Sequence, residues 1–144
     1  MDEQGAWTAK AAITELITRY AALIDEGAWD ELAALYTETA RMSRPTAPDD
    51  FVVGRASILE SFRSRPPRAS RHIVANVLVT LEDAMHASAT SQILLYVGRT
   101  EGGGLPVLAG AAPIIGTYHD RLVLTDAGWK FAERRGVLDF RASQ

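Results

Sequence analysis

The sequence contains no cysteine, which excludes disulfide bonds, thiolate nucleophiles and cysteine-ligated zinc sites. It has no basic surplus either, because 15 Lys and Arg residues stand against 18 Asp and Glu residues, for a net charge of −3. A basic surplus is what meets phosphates, so we expect no nucleic-acid partner. No apolar run is long enough to span a bilayer, and the polar, acidic start is unlike a signal peptide. These absences predict a cytoplasmic protein without a membrane partner.

The sequence also lacks the motifs of the common cofactor and metal sites. The glycine-rich run Gly102–Gly104 has no Lys-Ser/Thr signature and lies where a hairpin loop is expected. The histidines, His72, His86 and His119, are scattered and have no carboxylate at metal-ligand spacing. We therefore expect neither a bound cofactor nor a metal ion.

What is present is typical of one compact domain over residues 1–144, since 47% of the residues are apolar. The chain begins with helical patterns. The first helix is predicted by an apolar stripe at helical spacing, formed by Ile13, Leu16, Ile17, Tyr20 and Ile24. Gly27 is a natural end for this helix.

Two shorter helices are predicted after the first. One begins near Trp29, and the other runs from about Arg55 to Arg63, before a pair of prolines. Between them, the segment 37–50 contains Pro45 and Pro48 and is interpreted as the start of a strand followed by a loop.

From Arg71 onward the apolar period changes to two, which is typical of strands. In the first strand, 71–81, unbroken alternation puts His72 and Val74 on one face with Asn76 and Leu78. Further long strands are predicted from about Met85 to Thr100 and from Trp129 to about Phe140, and between them another long strand, broken around Pro113, runs to Leu124. Helices followed by meandering strands predict an α+β domain.

The strand 71–81 has apolar residues on both faces. One face can pack on the helices, but the other also needs a cover, because a bare apolar sheet face invites association. A second copy of the same sheet is the simplest cover, so we expect a homodimer built sheet against sheet. Loops or the C-terminus are the alternative cover.

Several segments carry a family resemblance through their order and spacing. They are Ile17–Leu32, Leu35–Ala40, Gly54, Arg71–Asn76, Gly116–Leu122 and Gly128–Arg135. Together they resemble the SnoaL-like branch of the nuclear-transport-factor-2-like superfamily, over nearly the whole chain. The resemblance implies a cone, in which a strongly curved antiparallel sheet wraps around the N-terminal helices and encloses a deep apolar pocket.

The resemblance leaves the activity open, because members of this superfamily have several roles. They include scytalone dehydratase, bile-acid dehydratases, a dehydrochlorinase, polyketide cyclases and the non-catalytic β subunits of aromatic-ring dioxygenases. Fold therefore does not decide function, and the polar residues of the pocket do.

Three residues are implied as catalytic by the resemblance. Asp25 matches an acidic position beside the catalytic histidine, which is His72, and Tyr20 matches a hydrogen-bond donor to the substrate oxygen. A carboxylate that orients an imidazole fixes its tautomer and stabilises the imidazolium, which suits proton transfer. The alternatives are a solvent-facing Asp25 near a helix end, a His72 bonded to backbone, and a core Tyr20 with a satisfied hydroxyl.

Further residues are candidates for the substrate pocket. Asn76 shares a predicted face with His72, and Arg134 shares one with small residues and would stabilise an oxyanion. Arg134 is alternatively a salt-bridge partner, and Arg135 takes its place if the register differs by one. The remaining candidates are aromatic core or pocket-wall residues: Trp29, Tyr36, Phe62 and Tyr96.

These residues lead to a hypothesis of function. The chain is interpreted as a cofactor-independent lyase or isomerase that uses Asp25 and His72 on an apolar, ring-containing carbonyl substrate of the polyketide, steroid or aromatic kind. One alternative is a non-catalytic β subunit of a ring-hydroxylating dioxygenase, for which the chain is rather short. Another is a small-molecule-binding protein without turnover.

Overall fold

The computed structural model describes residues 1–110 and 112–141. Helices lie at the beginning and strands fill the rest of the chain, as predicted. The helices are α1 (Glu3–Glu26), α2 (Trp29–Ala33) and α3 (Arg55–Arg63). The strands are β1 (Tyr36–Arg44), β2 (Ala47–Val53), β3 (Ala69–Leu81), β4 (His86–Arg99), β5 (Val107–Leu108), β6 (Ile114–Thr125) and β7 (Gly128–Leu138).

Helix α1 has a defined cap at each end. The Asp2 carboxylate accepts a hydrogen bond from the Gly5 N–H at 2.7 Å, which satisfies one of the free amides of the first turn. At the other end Gly27 adopts a left-handed conformation, with φ 71°, that residues with a side chain rarely adopt. The chain therefore turns sharply just after Asp25, and this turn leaves Asp25 in the last turn of the helix.

The strands form one sheet in the order β2-β1-β7-β6-β4-β3, with β5 paired to the end of β4. The sheet is curved and unclosed and lies against the N-terminal helices, so the predicted α+β class is confirmed. It differs from the expected antiparallel sheet in one pair, since β1 runs parallel to β7. A parallel pair needs a long connection, and here most of the chain separates the two strands.

The prediction of a loop after the first few residues of β1 is wrong. Strands β1 and β2 form an antiparallel hairpin across this segment in spite of its prolines. Pro45 lies in the turn, and Pro48 lies in β2, which is an edge strand of the sheet. A proline on an edge strand removes no hydrogen bond from the interior of the sheet, so both prolines are tolerated.

A bulge in β3 overturns the predicted alternation of that strand. Ala75 pairs with Gln92 and Leu78 with Thr90, so two residues of β3 stand opposite one residue of β4. Asn76, in the bulge, has a positive φ of 53°, which asparagine tolerates better than most residues. The inward face therefore continues with Val77 and not with Asn76.

The core lies between α1 and the inner face of the sheet. Its centre is aromatic and aliphatic and almost free of solvent, with Tyr20, Tyr36, Phe62 and Phe131 at most 3% exposed. Within the described residues, no helix is long and apolar enough to cross a membrane.

The sheet-to-sheet homodimer stays a prediction. The outer face of β3 exposes 45% of Ile73 and 69% of Leu78, and this apolar surface is what a second copy would cover. We expect a dimer at micromolar concentration and a shift to monomer when Ile73→Lys places a charge in the interface, both measured by light scattering. A monomeric wild-type protein would contradict the prediction.

Candidate active site

A cavity of about 430 Å³ lies between the helices and the inner face of the sheet. Its walls are mostly apolar: Ile24, Met42, Pro45, Phe62, Pro66, Pro67, Ile93, Leu95 and Ile114. The polar residues that line it are Tyr20, Ser43, Arg44, Thr46, Arg65, Arg68, His72 and Tyr118. Small-molecule sites typically have such apolar walls with a few polar groups.

Gly136 is the reason that the β1–β2 turn reaches over the cavity. A Cβ atom at this position of β7 would lie 2.5 Å from the Cδ atom of Pro45, so only glycine leaves room for the proline. The turn therefore packs against β7, and its residues Arg44–Thr46 line the cavity.

Asp25 and His72 form a hydrogen-bonded pair at this cavity. The distance between His72 Nδ1 and Asp25 Oδ1 is 2.6 Å, so the contact that we expected between them is present. The two side chains are only 6% and 5% exposed. The imidazole lines the main cavity, whereas the carboxylate lines an adjoining recess of about 300 Å³. This arrangement leaves the other ring nitrogen, Nε2, as the one available to a bound molecule.

Three donors hold the Asp25 carboxylate in place. The Ser70 hydroxyl donates to Oδ1 at 2.9 Å and the backbone N–H of His72 donates to Oδ2 at 2.8 Å, in addition to the imidazole. A carboxylate in the last turn of a helix is disfavoured by the helix dipole, and these hydrogen bonds offset that cost. The carboxylate is therefore fixed as an acceptor for Nδ1–H, which leaves Nε2 unprotonated in the neutral ring.

Burial lowers the pKa of His72 below its ordinary value of 6.5. The hydrogen bond and charge of Asp25 oppose this effect, and the nearby cations Arg68 and Arg65 add to it. The imidazole is consequently neutral at pH 7 and able to accept a proton.

Two tyrosines at the cavity differ in their hydroxyl partners. The Tyr20 hydroxyl lies 2.7 Å from the Tyr36 hydroxyl, and both side chains are buried. Burial raises the pKa of Tyr20 to about 12, so its hydroxyl stays protonated. Burial raises the pKa of Tyr118 as well, and its hydroxyl forms no hydrogen bond to another of the described residues. Tyr118 is therefore the more available donor to a bound molecule.

Arg134 is a buried salt-bridge partner and not a cavity residue. Its Nε donates to Asp120 Oδ1 at 2.9 Å, and its guanidinium lies 3.8 Å from the ring centre of Tyr118 and 4.3 Å from that of Tyr20. Arg134 does not line the cavity, whereas the two tyrosines that its guanidinium contacts do. Arg135 points away and contacts Pro48 and Asp49.

Two other predicted pocket residues do not line the cavity, because their side chains do not lie on the inner face of the sheet. Asn76 is exposed in the bulge and donates to Gln92 Oε1 at 2.6 Å. Tyr96 pairs with Arg71 on the outer face of the sheet, whereas Leu95, which pairs with His72, lines the cavity.

Of the remaining aromatic candidates, one lines the main cavity, one lines the adjoining recess and one lines neither. Phe62 lines the main cavity as predicted. Trp29 stacks on Phe62, with ring centres 5.4 Å apart, and lines the adjoining recess. Tyr36 lies one layer behind, against Tyr20, and does not line the cavity.

Several residues that line the cavity were not predicted from the sequence. Tyr118 belongs to the segment Gly116–Leu122 that carried the family resemblance, and alternation from Gly116 would have placed it inward. Arg65 and Arg68 flank the pair Pro66-Pro67, which offers no periodic signal. Within residues 1–110 and 112–141, no group of three His, Asp or Glu side chains comes together as a metal site would require.

A curved sheet folded over N-terminal helices, with a cavity between the two, places the chain in the nuclear-transport-factor-2-like class of folds. Residues 6–135 match the family model of the SnoaL-like domain, so the protein belongs to the SnoaL-like family. No curated protein matches the sequence significantly.

Solved structures with the same fold have low sequence identity to the chain. A protein provisionally named scytalone dehydratase, from Novosphingobium aromaticivorans, has a TM-score of 0.78 at 20% identity, over 99% of this chain and 94% of its own. A type 2 hexachlorocyclohexane dehydrochlorinase has a TM-score of 0.79 at 16% identity, over 96% and 90%. A protein provisionally named an aromatic ring hydroxylase, also from N. aromaticivorans, has 0.77 at 21%, over 94% and 92%. At these identities the likeness is one of fold.

Proposed function

We propose that the protein is a cofactor-independent enzyme that transfers a proton on a cyclic, largely apolar carbonyl compound, in a dehydration or an isomerisation. The observation that carries this proposal is the 2.6 Å hydrogen bond between His72 Nδ1 and Asp25 Oδ1 beside a cavity of about 430 Å³. A buried, oriented and neutral imidazole in an apolar cavity has the properties of a general base.

In the first step, His72 Nε2 takes a proton from the carbon next to the substrate carbonyl. The electron pair of the broken C–H bond moves toward the carbonyl, whose oxygen becomes an enolate. Asp25 stabilises the imidazolium that forms, through the Nδ1–H bond. The Tyr118 hydroxyl donates to the enolate oxygen, because it lines the cavity and has no other partner among the described residues.

In the second step, the imidazolium returns the proton. Transfer to a β-hydroxyl releases water as the enolate collapses to the conjugated enone, and transfer to another carbon gives an isomer. Both outcomes balance without an oxidant, a reductant or a cofactor. The family membership and the dehydratase and dehydrochlorinase names of the two structural neighbours support this class of reaction.

Deuterium exchange on a panel of compounds tests the proposal and does not require the natural substrate. The wild-type protein is incubated in D₂O with cyclic ketones, enones and β-hydroxy ketones, and NMR follows deuterium at the carbon next to the carbonyl. We expect enzyme-dependent exchange with at least one ring compound. Tight binding without any exchange would overturn the proposal in favour of a binding protein, and co-purification with an iron–sulfur subunit would favour the dioxygenase β subunit.

The pH profile follows from the lowered pKa of His72. The free base is the active form, so kcat/KM should be level near pH 7 and fall about tenfold per pH unit below a midpoint under 6.5. Asp25, Arg65 and Arg68 are the charges that set this midpoint. A rate that rises as the pH falls below 6 would show that the imidazolium, not the imidazole, begins the reaction.

A further inference from the structure

The cavity that His72 lines is unusually rich in arginine for a chain of net charge −3. Arg44, Arg65 and Arg68 all line it, and no Asp or Glu among the described residues does. Within the same part of the chain, none of the three guanidinium groups lies within 4.0 Å of a carboxylate, although other arginines form such pairs. Positive charge is therefore concentrated at the cavity, whereas Asp25 and Glu26 line the adjoining recess, which Arg65 and Arg68 also border.

Two of these cations, Arg44 and Arg65, pack against the protein, whereas Arg68 is exposed to solvent. Arg44 is half-buried, donates to the Ser61 carbonyl at 3.2 Å, and has a buried Nε without a partner among the described residues. Arg65 is half-buried, with its guanidinium 4.3 Å from the ring centre of Phe62. Arg68 is more exposed and borders both the cavity and the adjoining recess.

Two further observations favour an anion-binding role for the cavity. Burial, with the charges of Arg44 and Arg68, lowers the pKa of Arg65 to about 10, an effect that the negative charge of a bound anion would oppose. Ser43 is also one of the lining residues, and its buried hydroxyl has no hydrogen-bond partner among the described residues. A buried donor that is left unpaired costs free energy unless a ligand satisfies it.

We propose that the cavity selects ring compounds that carry a carboxylate, which Arg44, Arg65 and Arg68 bind while the ring carbonyl lies near His72. Guanidinium groups bind carboxylates through paired, charge-assisted hydrogen bonds. The inference names a substrate class for the proposed function and rests on that function for the reaction, but the binding preference is measured independently of turnover.

A matched ligand pair tests the preference. Titration calorimetry compares 2-naphthoate with the neutral 2-naphthamide, which has the same ring system. We expect the carboxylate to bind at least about tenfold more tightly, because hydrogen bonds to a charged group are worth more than neutral ones. Equal affinities, or no binding of any ring carboxylate in a wider panel, would overturn the proposal.

Variants connect the preference to the arginines. Arg65→Gln and Arg68→Gln should each weaken 2-naphthoate binding by about tenfold and leave 2-naphthamide binding unchanged. Arg68 is exposed, so its variant tests the proposal even if the Arg65 variant folds poorly. Arg63→Gln is the matched control, because Arg63, the last residue of α3, does not line the main cavity and pairs with Asp30 at 2.7 Å. Equal loss of both ligands in the Arg65 and Arg68 variants would contradict the role of charge.

A His72→Ala variant separates this inference from the proposed reaction. If His72 is the base, this variant loses exchange but keeps its preference for the carboxylate. A protein that shows no turnover but prefers 2-naphthoate would overturn the proposed function alone, whereas turnover of neutral ketones without that preference would overturn the carboxylate inference alone.

Discussion

Replacing His72 with alanine is expected to lower the rate of proton exchange by roughly 10²–10⁴-fold, which is the usual contribution of a positioned acid–base group. The fold should survive, because the backbone N–H of residue 72 and the Ser70 hydroxyl still hold the Asp25 carboxylate. Ligand affinity should change far less than turnover, since apolar walls provide much of the contact. Exchange kinetics by NMR and calorimetric binding measure the two quantities on the same samples.

The chain offers a matched control in a second Asp–His pair. His86 Nδ1 lies 2.9 Å from Asp83 Oδ1, but these side chains are 57% and 60% exposed and lie outside the cavity. We expect His86→Ala to leave the exchange rate unchanged, whereas Asp25→Asn should slow it because an amide stabilises the imidazolium less. Unchanged exchange in His72→Ala would disprove the mechanism.

Replacing Arg134 with methionine is expected to lower the free energy of unfolding by about 3–5 kcal/mol, because Asp120 would be left buried without its partner. The two side chains are 1% and 0% exposed, and their Nε–Oδ1 distance is 2.9 Å. Burial raises the pKa of Asp120 to about 6, so the carboxylate is still mostly ionised at neutral pH and depends on Arg134. Urea denaturation at pH 7 measures the loss.

Two further variants test whether the loss of stability comes from an unpaired buried charge. Arg19→Met removes an exposed pair with Glu15, whose side chains are 58% and 70% exposed, and should cost no more than about 1 kcal/mol. The double variant Asp120→Leu with Arg134→Met should recover much of the lost stability, because it leaves no charge unpaired. If Arg134→Met is as mild as Arg19→Met, the buried pair does not stabilise the fold in this way.

The hydrogen bond between Asp25 and His72 could be anticipated because local signals agreed with the resemblance. Gly27 predicted the helix end that leaves Asp25 in the last turn, and the change of period at Arg71 predicted the strand that carries His72. The alternative of a solvent-facing Asp25 does not hold, because Ser70 and His72 of β3 donate hydrogen bonds to its buried carboxylate.

The misplaced candidates have other causes. Asn76 was assigned by alternation, which the bulge in β3 interrupts, and Tyr96 by residue type, although its position in β4 puts it on the outer face. A single bulge exchanges the inner and outer faces for all residues of the strand that follow it. The apolar pattern does not reveal this bulge, because Val77 and Val79 are apolar and would fit either face. Arg134 was assigned to the inner face correctly. Periodicity predicts the face on which a side chain lies, but it does not predict whether other side chains separate it from the cavity.

The sequence by itself determined the α+β class of fold, the succession of helices and then strands, and the absence of thiol chemistry, because these depend on local periodicity, turn residues and composition. Only the tertiary structure decided which polar groups share the cavity. Tyr118, Arg44 and Arg65 come from β6, β1 and the segment after α3, and they meet because the sheet curves and Gly136 admits Pro45. The position of these side chains around one cavity depends on contacts between residues far apart in the chain, and no local sequence pattern encodes such contacts.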